Sequence, residues 1–118
     1  MGETKDRAAG PDILRGTLDL LILKALSWGP AHGYTVAKWV EAATGDALAL
    51  GEGTLYPALH RLEERGWLTS SWGTSENRRQ AKFYALTRRG RARLGIELRN
   101  WRRYSAAMSA ALDAPGPK

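Results

Sequence analysis

The side chains that could do covalent or acid–base chemistry are few and scattered. The only two histidines, His32 and His60, stand 28 positions apart in different segments. There is no cysteine, so disulfides, thiolate zinc sites and cysteine nucleophiles are excluded together. No glycine-rich phosphate loop, paired-carboxylate motif, His-x-x-x-His pair or nucleophile elbow is present. The chain is therefore expected not to be an enzyme, and to hold no cofactor and no metal.

Another chemistry is better supplied: hydrogen bonding and ion pairing to a polyanion. Between Gly53 and Arg65 the leucines Leu55, Leu59 and Leu62 recur at helical spacing. Turning them inward, at ~100° per residue, sends Pro57, His60, Arg61 and Glu64 outward. Thr54 and Arg65 fall on one flank and Tyr56 on the other. Threonine, tyrosine, histidine and arginine all reach base edges or phosphates in a major groove. From this helix alone a plain solvated face is the stronger reading, because Glu63 and Glu64 cancel Arg61 and Arg65. A second group, Arg78, Arg79 and Lys82 against Glu76, sits in a polar stretch between two strand-like segments. Guanidinium groups on a hairpin tip suit phosphate or minor-groove contact, and a solvated loop would look the same.

The charge is unevenly placed. The net charge is +6 over 118 residues. Residues 1–86 hold ten basic and ten acidic side chains, whereas residues 87–118 hold eight basic and two acidic. Seven of those eight are arginines between Arg88 and Arg103. A basic chain of this size points to nucleic acid, or to no more than a soluble helix with an arginine-rich outer face. With 43% apolar and 25% charged residues the composition is that of a folded domain. The length suits one domain. The longest aliphatic run, Leu20 to Leu23, is too short for a membrane span, and residues 1–11 lack the pattern of a secretory signal. A soluble, cytoplasmic protein without a membrane partner is the expectation.

These groups need a scaffold, and the spacing describes one. Residues 1–11 read as a flexible leader ending in Gly10-Pro11. Leu14, Leu18, Leu21, Ile22, Ala25 and Trp28 predict a first helix, closed by Gly29-Pro30. Leu20 and Leu23 form a second apolar edge on it, the pattern of a helix that touches more than its own core. A second helix is expected over residues 34–43, a short edge strand over 47–50, and the third helix from Gly53-Thr54 to Arg65. Pro57 is tolerable only near that helix's start. Strands over 67–72, with Leu68 and Trp72 on one face, and over 82–86 flank the polar loop 73–81. Thr87 then caps a long last helix. Residues 114–118 read as a disordered tail.

On the last helix Leu94, Leu98, Trp101, Met108 and Leu112 recur in alternating steps of three and four, with Ser105 filling the one gap. Such a seam is longer than a small domain covers, so with Leu20 and Leu23 it predicts a homodimer. Trp101 lies on it, as packing or as one wall of a pocket for a flat ligand; packing is the commoner outcome. The fold class is mainly α (α+β): a winged helix-turn-helix over residues 12–86 with a long C-terminal dimerisation helix over 87–113.

At this point the motifs are recognisable in combination. Leu-Asp-Leu-Leu-Ile-Leu from Leu18, His-Gly-Tyr from His32, and Gly-Thr-Leu-Tyr-Pro-Ala-Leu-His-Arg-Leu-Glu from Gly53 resemble the PadR family of bacterial winged helix-turn-helix regulators. So do Gly-Trp-Leu from Gly66 and Lys-Phe-Tyr-Ala-Leu-Thr-Arg-Arg-Gly from Lys82. The resemblance runs from Ile13 to Leu112 and is closest to the short type with a single C-terminal helix. It implies a homodimeric DNA-binding repressor whose first and last helices build the dimer. It makes Thr54, Tyr56, Pro57, His60 and Arg61 the reader positions, supported by Tyr34 on the second helix. Arg78, Arg79 and Lys82 would meet the DNA backbone or minor groove. In some short members interface aromatics sandwich flat hydrophobic compounds, and Trp101 occupies a comparable place.

The expected function is thus a dimeric, sequence-specific regulator binding double-stranded DNA at a palindromic operator. Repression is expected, with release by a small aromatic or amphiphilic effector as a further possibility. Two alternatives stay open on the residues alone. One is a winged helix used for protein–protein assembly, which the neutral third helix favours. The other is a non-specific nucleic-acid binder driven by the arginine-rich last helix.

Overall fold

Aliphatic spacing on three helices builds one core, and every other element is hung on it. The computed structural model describes residues 16–118 and the backbone of Ala8–Ala9. Ala8–Ala9 form strand β1, paired in parallel with β3 (Leu48–Ala49) in the register Ala8 to Leu48. The rest of the expected leader, and the expected helical positions Ile13 and Leu14, lie outside the described residues.

Helix α1 spans Thr17–Ala25 and tightens into a 3-10 turn over Leu26–Trp28. Strand β2 (Ala31–His32) leads into α2 (Gly33–Ala43), and α3 covers Glu52–Glu64. Ile22, Leu23 and Leu26 meet Val36, Ala37 and Val40 of α2 and Leu55, Ala58, Leu59 and Leu62 of α3, all buried. These spacings, i, i+3, i+4 and i+7 on α3, give each helix one continuous apolar face.

Leu23, expected on an edge turned toward a partner, is completely buried in the chain's own core, while Leu20 is half-buried. A helix that is apolar on two sides does not say which side its own domain takes. Here the side taken carries Ile22, Leu23 and Leu26.

Two seven-residue strands follow, β4 (Leu68–Thr74) and β5 (Gln80–Leu86), antiparallel from Leu68–Leu86 to Thr74–Gln80. Each runs further toward the tip than the sequence suggests, which shortens the connecting loop to 75–79. β2 adds a third strand, with Ala31 opposite Tyr84 and His32 opposite Phe83. The expected sharing of a face by Leu68 and Trp72 does not bury both. Leu68 is in the core, but Trp72, four residues nearer the hairpin tip, is 68% exposed.

α4 (Arg88–Leu112) is docked by its first turn. The α3 terminus ends in a paired cap: Trp67 N–H donates to the Leu62 carbonyl at 3.1 Å and Gly66 N–H to Glu63 at 2.9 Å. Gly66 adopts φ 80° there, a left-handed conformation that costs glycine nothing. The Thr87 hydroxyl donates to the Gly66 carbonyl at 2.7 Å and accepts from Gly90 N–H at 3.0 Å. A Cβ on Gly90 would lie 1.9 Å from the Trp67 carbonyl oxygen, so only glycine lets the helix come this close. Arg93 and Arg65 lie over the Trp67 ring, 4.9 and 5.3 Å from its centroid. Leu94 packs against the core, and from residue 106 onward every residue is exposed.

Candidate nucleic-acid interface

The start of α2, the first half of α3 and the hairpin converge on one groove of about 770 Å³. Its walls include His32, Tyr34 and Lys38 from the α2 side, Tyr56 from α3, and Trp72, Arg79 and Lys82 from the hairpin. Close approach of the two helix starts makes it possible. A Cβ on Gly33 would meet the Tyr56 ring at 2.8 Å, so the glycine of His-Gly-Tyr lets that ring lie across α2. Tyr34, next in sequence, is left 63% exposed. The His32 ring stacks on Tyr34 at 6.2 Å and meets Phe83 edge-on at 5.3 Å. Lys38 Nζ lies 5.7 Å from the Tyr34 ring centroid. Aromatic faces, hydroxyls and ammonium groups thus share one concave surface.

On α3, Tyr56, Pro57 and His60 are exposed and Thr54 is half-buried. Nothing lies within 4 Å of the position a Cβ on Gly53 would take, so the backbone there is open to close approach. Pro57 lacks the N–H that would reach back to the Gly53 carbonyl, and its place in the second turn keeps that loss at the helix start. His60 Nε2 lies 3.3 Å from Glu64, an exposed pair one turn apart.

Arg61 is not on the outward face. Its guanidinium donates to Asp19 Oδ1 at 2.6 Å and ties α3 to α1. The helical wheel sends residue 61 outward, but a carboxylate on α1 draws the long side chain aside to the α1–α3 contact.

Glu63 governs the junction of α3 with the hairpin. It accepts from the Ser70 hydroxyl at 2.6 Å, and its other oxygen lies 3.8 Å from Lys82 Nζ. Lys82, opposite Trp72 in the ladder, is therefore tied back to α3, unlike Arg78 and Arg79 in the tip loop. Tyr84 is buried beneath the groove; burial, then the Glu63 carboxylate and Tyr56, push its phenol above the usual range, so it stays a neutral hydrogen-bonding group.

At the tip Ser75 N–H donates to the Arg79 carbonyl at 2.8 Å and Arg78 N–H to Ser75 at 2.9 Å. Arg78 takes φ 60°, which aims its backbone out of the ladder. Arg78 and Arg79 are both exposed and have no carboxylate partner among the described residues.

Among the groove residues that sequence reasoning did not name are His32, Lys38 and Trp72. Lys38 lies one helical turn from Tyr34, a signal that was available. Trp72 reads as core by alternation, and His32 depends on β2, which is too short to show a pattern.

Known proteins bear on this arrangement. A solved transcriptional regulator from Clostridium thermocellum superposes with a TM-score of 0.75 at 28% identity, covering 83% of this chain and 95% of that one. A PadR family transcription regulator from Clostridium difficile superposes with a TM-score of 0.70 at 32% identity, covering 80% of this chain and 97% of that one. An uncharacterized protein of Lysinibacillus sphaericus is 29% identical over 90 residues, 76% of this chain and 83% of its own length. The sequence profile of the transcriptional regulator PadR-like family matches residues 22–96, from the core of α1 through the groove-forming helices and hairpin into α4. With the fold and the profile in agreement, the chain belongs to the PadR-like family of transcriptional regulators.

Proposed function

We propose that the protein is a cytoplasmic homodimeric repressor that binds duplex DNA at a two-fold-symmetric operator. The observation that carries this reading is the groove itself. Tyr34, Lys38, Tyr56 and Arg79 converge on one concave surface beside the half-buried Thr54 and the exposed Pro57 and His60. In this reading Thr54, Tyr56, Pro57 and His60 read base edges in the major groove, with Tyr34 supporting them. Arg78, Arg79 and Lys82 hold phosphates or enter the minor groove. Arg61, bonded to Asp19, positions α3 instead of reading bases.

Dimerisation is supported by what α4 leaves bare. Tyr104, Met108 and Leu112 are exposed on the face that, further back, carries Leu94 and Trp101. An apolar stripe of this kind suits a second copy, with Leu20, Leu98 and Trp101 near the contact. The effector part of the reading rests on Trp101, which lines a small cleft with Gly16, Thr17, Leu20, Glu97 and Asn100. A flat aromatic or amphiphilic compound is the proposed occupant.

Selection of genomic fragments with purified protein, followed by footprinting, tests the reading. Expected is a protected dyad with half-sites about one DNA turn, ~10 base pairs, apart. Repression of a reporter driven by that fragment is expected as well. Protection of a site without a dyad by a single chain would overturn it.

A further inference from the structure

We propose that the outer face of α4 is a second, sequence-independent contact for the DNA backbone, separate from the groove and hairpin. At ~100° per residue, Arg88, Arg91, Arg99, Arg102 and Arg103 fall within about 60° of one line along the helix. That line runs opposite Gly90, Glu97 and Met108. The opposite face is already used: Gly90 meets Trp67, Arg93 bonds Glu97 at 2.8 Å, and Glu97 lies beside α1. The arginine face is therefore turned away from the chain's own core and from Leu94, Trp101, Met108 and Leu112 of the stripe assigned to a second copy, and borders that stripe only where Arg91 and Arg102 flank Leu98.

All five arginines are exposed. No carboxylate pairs with any of them among the described residues; the ion pair on this helix belongs to Arg93 and Glu97. Arg103 donates to the neutral Asn100 at 3.0 Å. From Arg88 to Arg103 the face extends about 22 Å at ~1.5 Å per residue. A duplex of that length presents on the order of a dozen phosphate charges. No lysine occurs between residues 83 and 117, so this cationic face consists entirely of guanidinium groups, which pair phosphates bidentately.

Charge complementarity says why DNA is the partner. Residues 1–86, which include the groove and the hairpin, hold ten basic and ten acidic side chains. With acidic and basic groups in balance there, the hairpin cations Arg78, Arg79 and Lys82 are the phosphate contacts this part offers, and they supply only a share of the salt-dependent affinity that lets a regulator find a site. The whole +6 excess resides in residues 87–118, where α4 carries it. The groove then selects sequence, and the arginine face joins the hairpin cations in adding affinity for any duplex, either flanking the operator or on a neighbouring segment. This rests on the proposed DNA-binding reading for the identity of the polyanion.

The test uses the full chain and a labelled 30-base-pair duplex of random sequence, titrated at several salt concentrations. A variant with Arg88, Arg91, Arg99 and Arg102 all changed to Gln is compared with one in which the same four are Lys. The Gln variant is expected to bind at least tenfold more weakly at low salt, with a log–log salt slope smaller by about 0.9 per lost contact. The Lys variant should keep most of the slope. Both should select the same genomic fragments as the unchanged protein, because the groove is untouched.

Equal binding of random duplex by the Gln variant overturns the proposal while leaving the operator reading intact. Loss of fragment preference in the Gln variant, with random-duplex binding retained, also overturns it, because the face would then be reading sequence. So does unchanged duplex binding together with lost binding to vesicles of anionic lipid, which would assign the face to a membrane surface. If the unchanged protein selects no fragment at all, the operator reading fails independently of this face.

Discussion

Arg61 of α3 donates to Asp19 of α1 at 2.6 Å, so the helix proposed to read DNA is fastened to a helix proposed to form the dimer. Asp19 is mostly shielded and Arg61 partly open, with 15% and 43% of their side-chain surface exposed. A charge-assisted bond of this kind contributes about 1–2 kcal/mol once solvent screening is allowed for. Asp19→Ala and Arg61→Ala should each lower unfolding free energy in urea by that amount. The double variant should lose little more than either single one, because both remove the same contact. If Arg61→Ala instead alters base preference with stability unchanged, Arg61 reads DNA.

Gly90→Ala should be among the most damaging small changes in the chain. The added methyl would lie 1.9 Å from the backbone carbonyl of Trp67, and backbone cannot swing aside as a side chain can. The whole first turn of α4 must retreat, breaking the Thr87 cap and the Arg93–Trp67 contact. A loss of roughly 2–4 kcal/mol is expected by chemical denaturation. A near-neutral result would mean that α4 is not docked through this turn.

The helices and hairpin were legible because their signals are local. Leu55, Leu59 and Leu62 mark the α3 face, Gly66 its end and Thr87 the start of α4, each within a few residues of what it specifies. What escaped was non-local. β2 is two residues long and exists because Tyr84 and Phe83 pair with it. The rotation of α1 that buries Leu23 is decided by α2 and α3, since both edges of α1 are apolar. Arg61 turns inward toward a partner 42 positions away. Of the groove, the α3 and hairpin residues could be named from spacing, whereas Trp72 could not. Alternation gives Trp72 a face of the strand but does not say whether that face is covered there.

Arg79 and His60 should separate affinity from specificity. Arg79 is exposed near the hairpin tip without a carboxylate partner, which suits a phosphate contact. Arg79→Ala should weaken binding to all duplexes about equally and reduce the log–log salt slope by about one. His60→Ala and Tyr56→Phe should change which bases are preferred, with a discrimination loss of about 1–3 kcal/mol at the affected position. An unchanged salt slope for Arg79→Ala would mean that the hairpin tip does not reach DNA.

Trp101 stands where α1 and α4 meet, 38% exposed, with Tyr104 beside it at 6.1 Å between ring centroids. Along the same face Met108 and Leu112 are bare, so the indole sits at the boundary between what the chain covers itself and what it leaves uncovered. Packed against a second copy, a ring of this size contributes on the order of 3–5 kcal/mol when truncated to alanine. Trp101→Ala is therefore expected to sediment as a monomer at micromolar concentration in analytical ultracentrifugation. It should also lose affinity for a dyad operator, because a monomer presents one reading head where the site offers two half-sites. If the two rings of a dimer instead stand apart as walls of a slot, the variant stays dimeric and binds DNA normally. It then no longer takes up a flat aromatic dye followed by the dye's own fluorescence. A dimer that binds both DNA and dye as before would remove Trp101 from both roles and leave Met108 and Leu112 as the residues to truncate next.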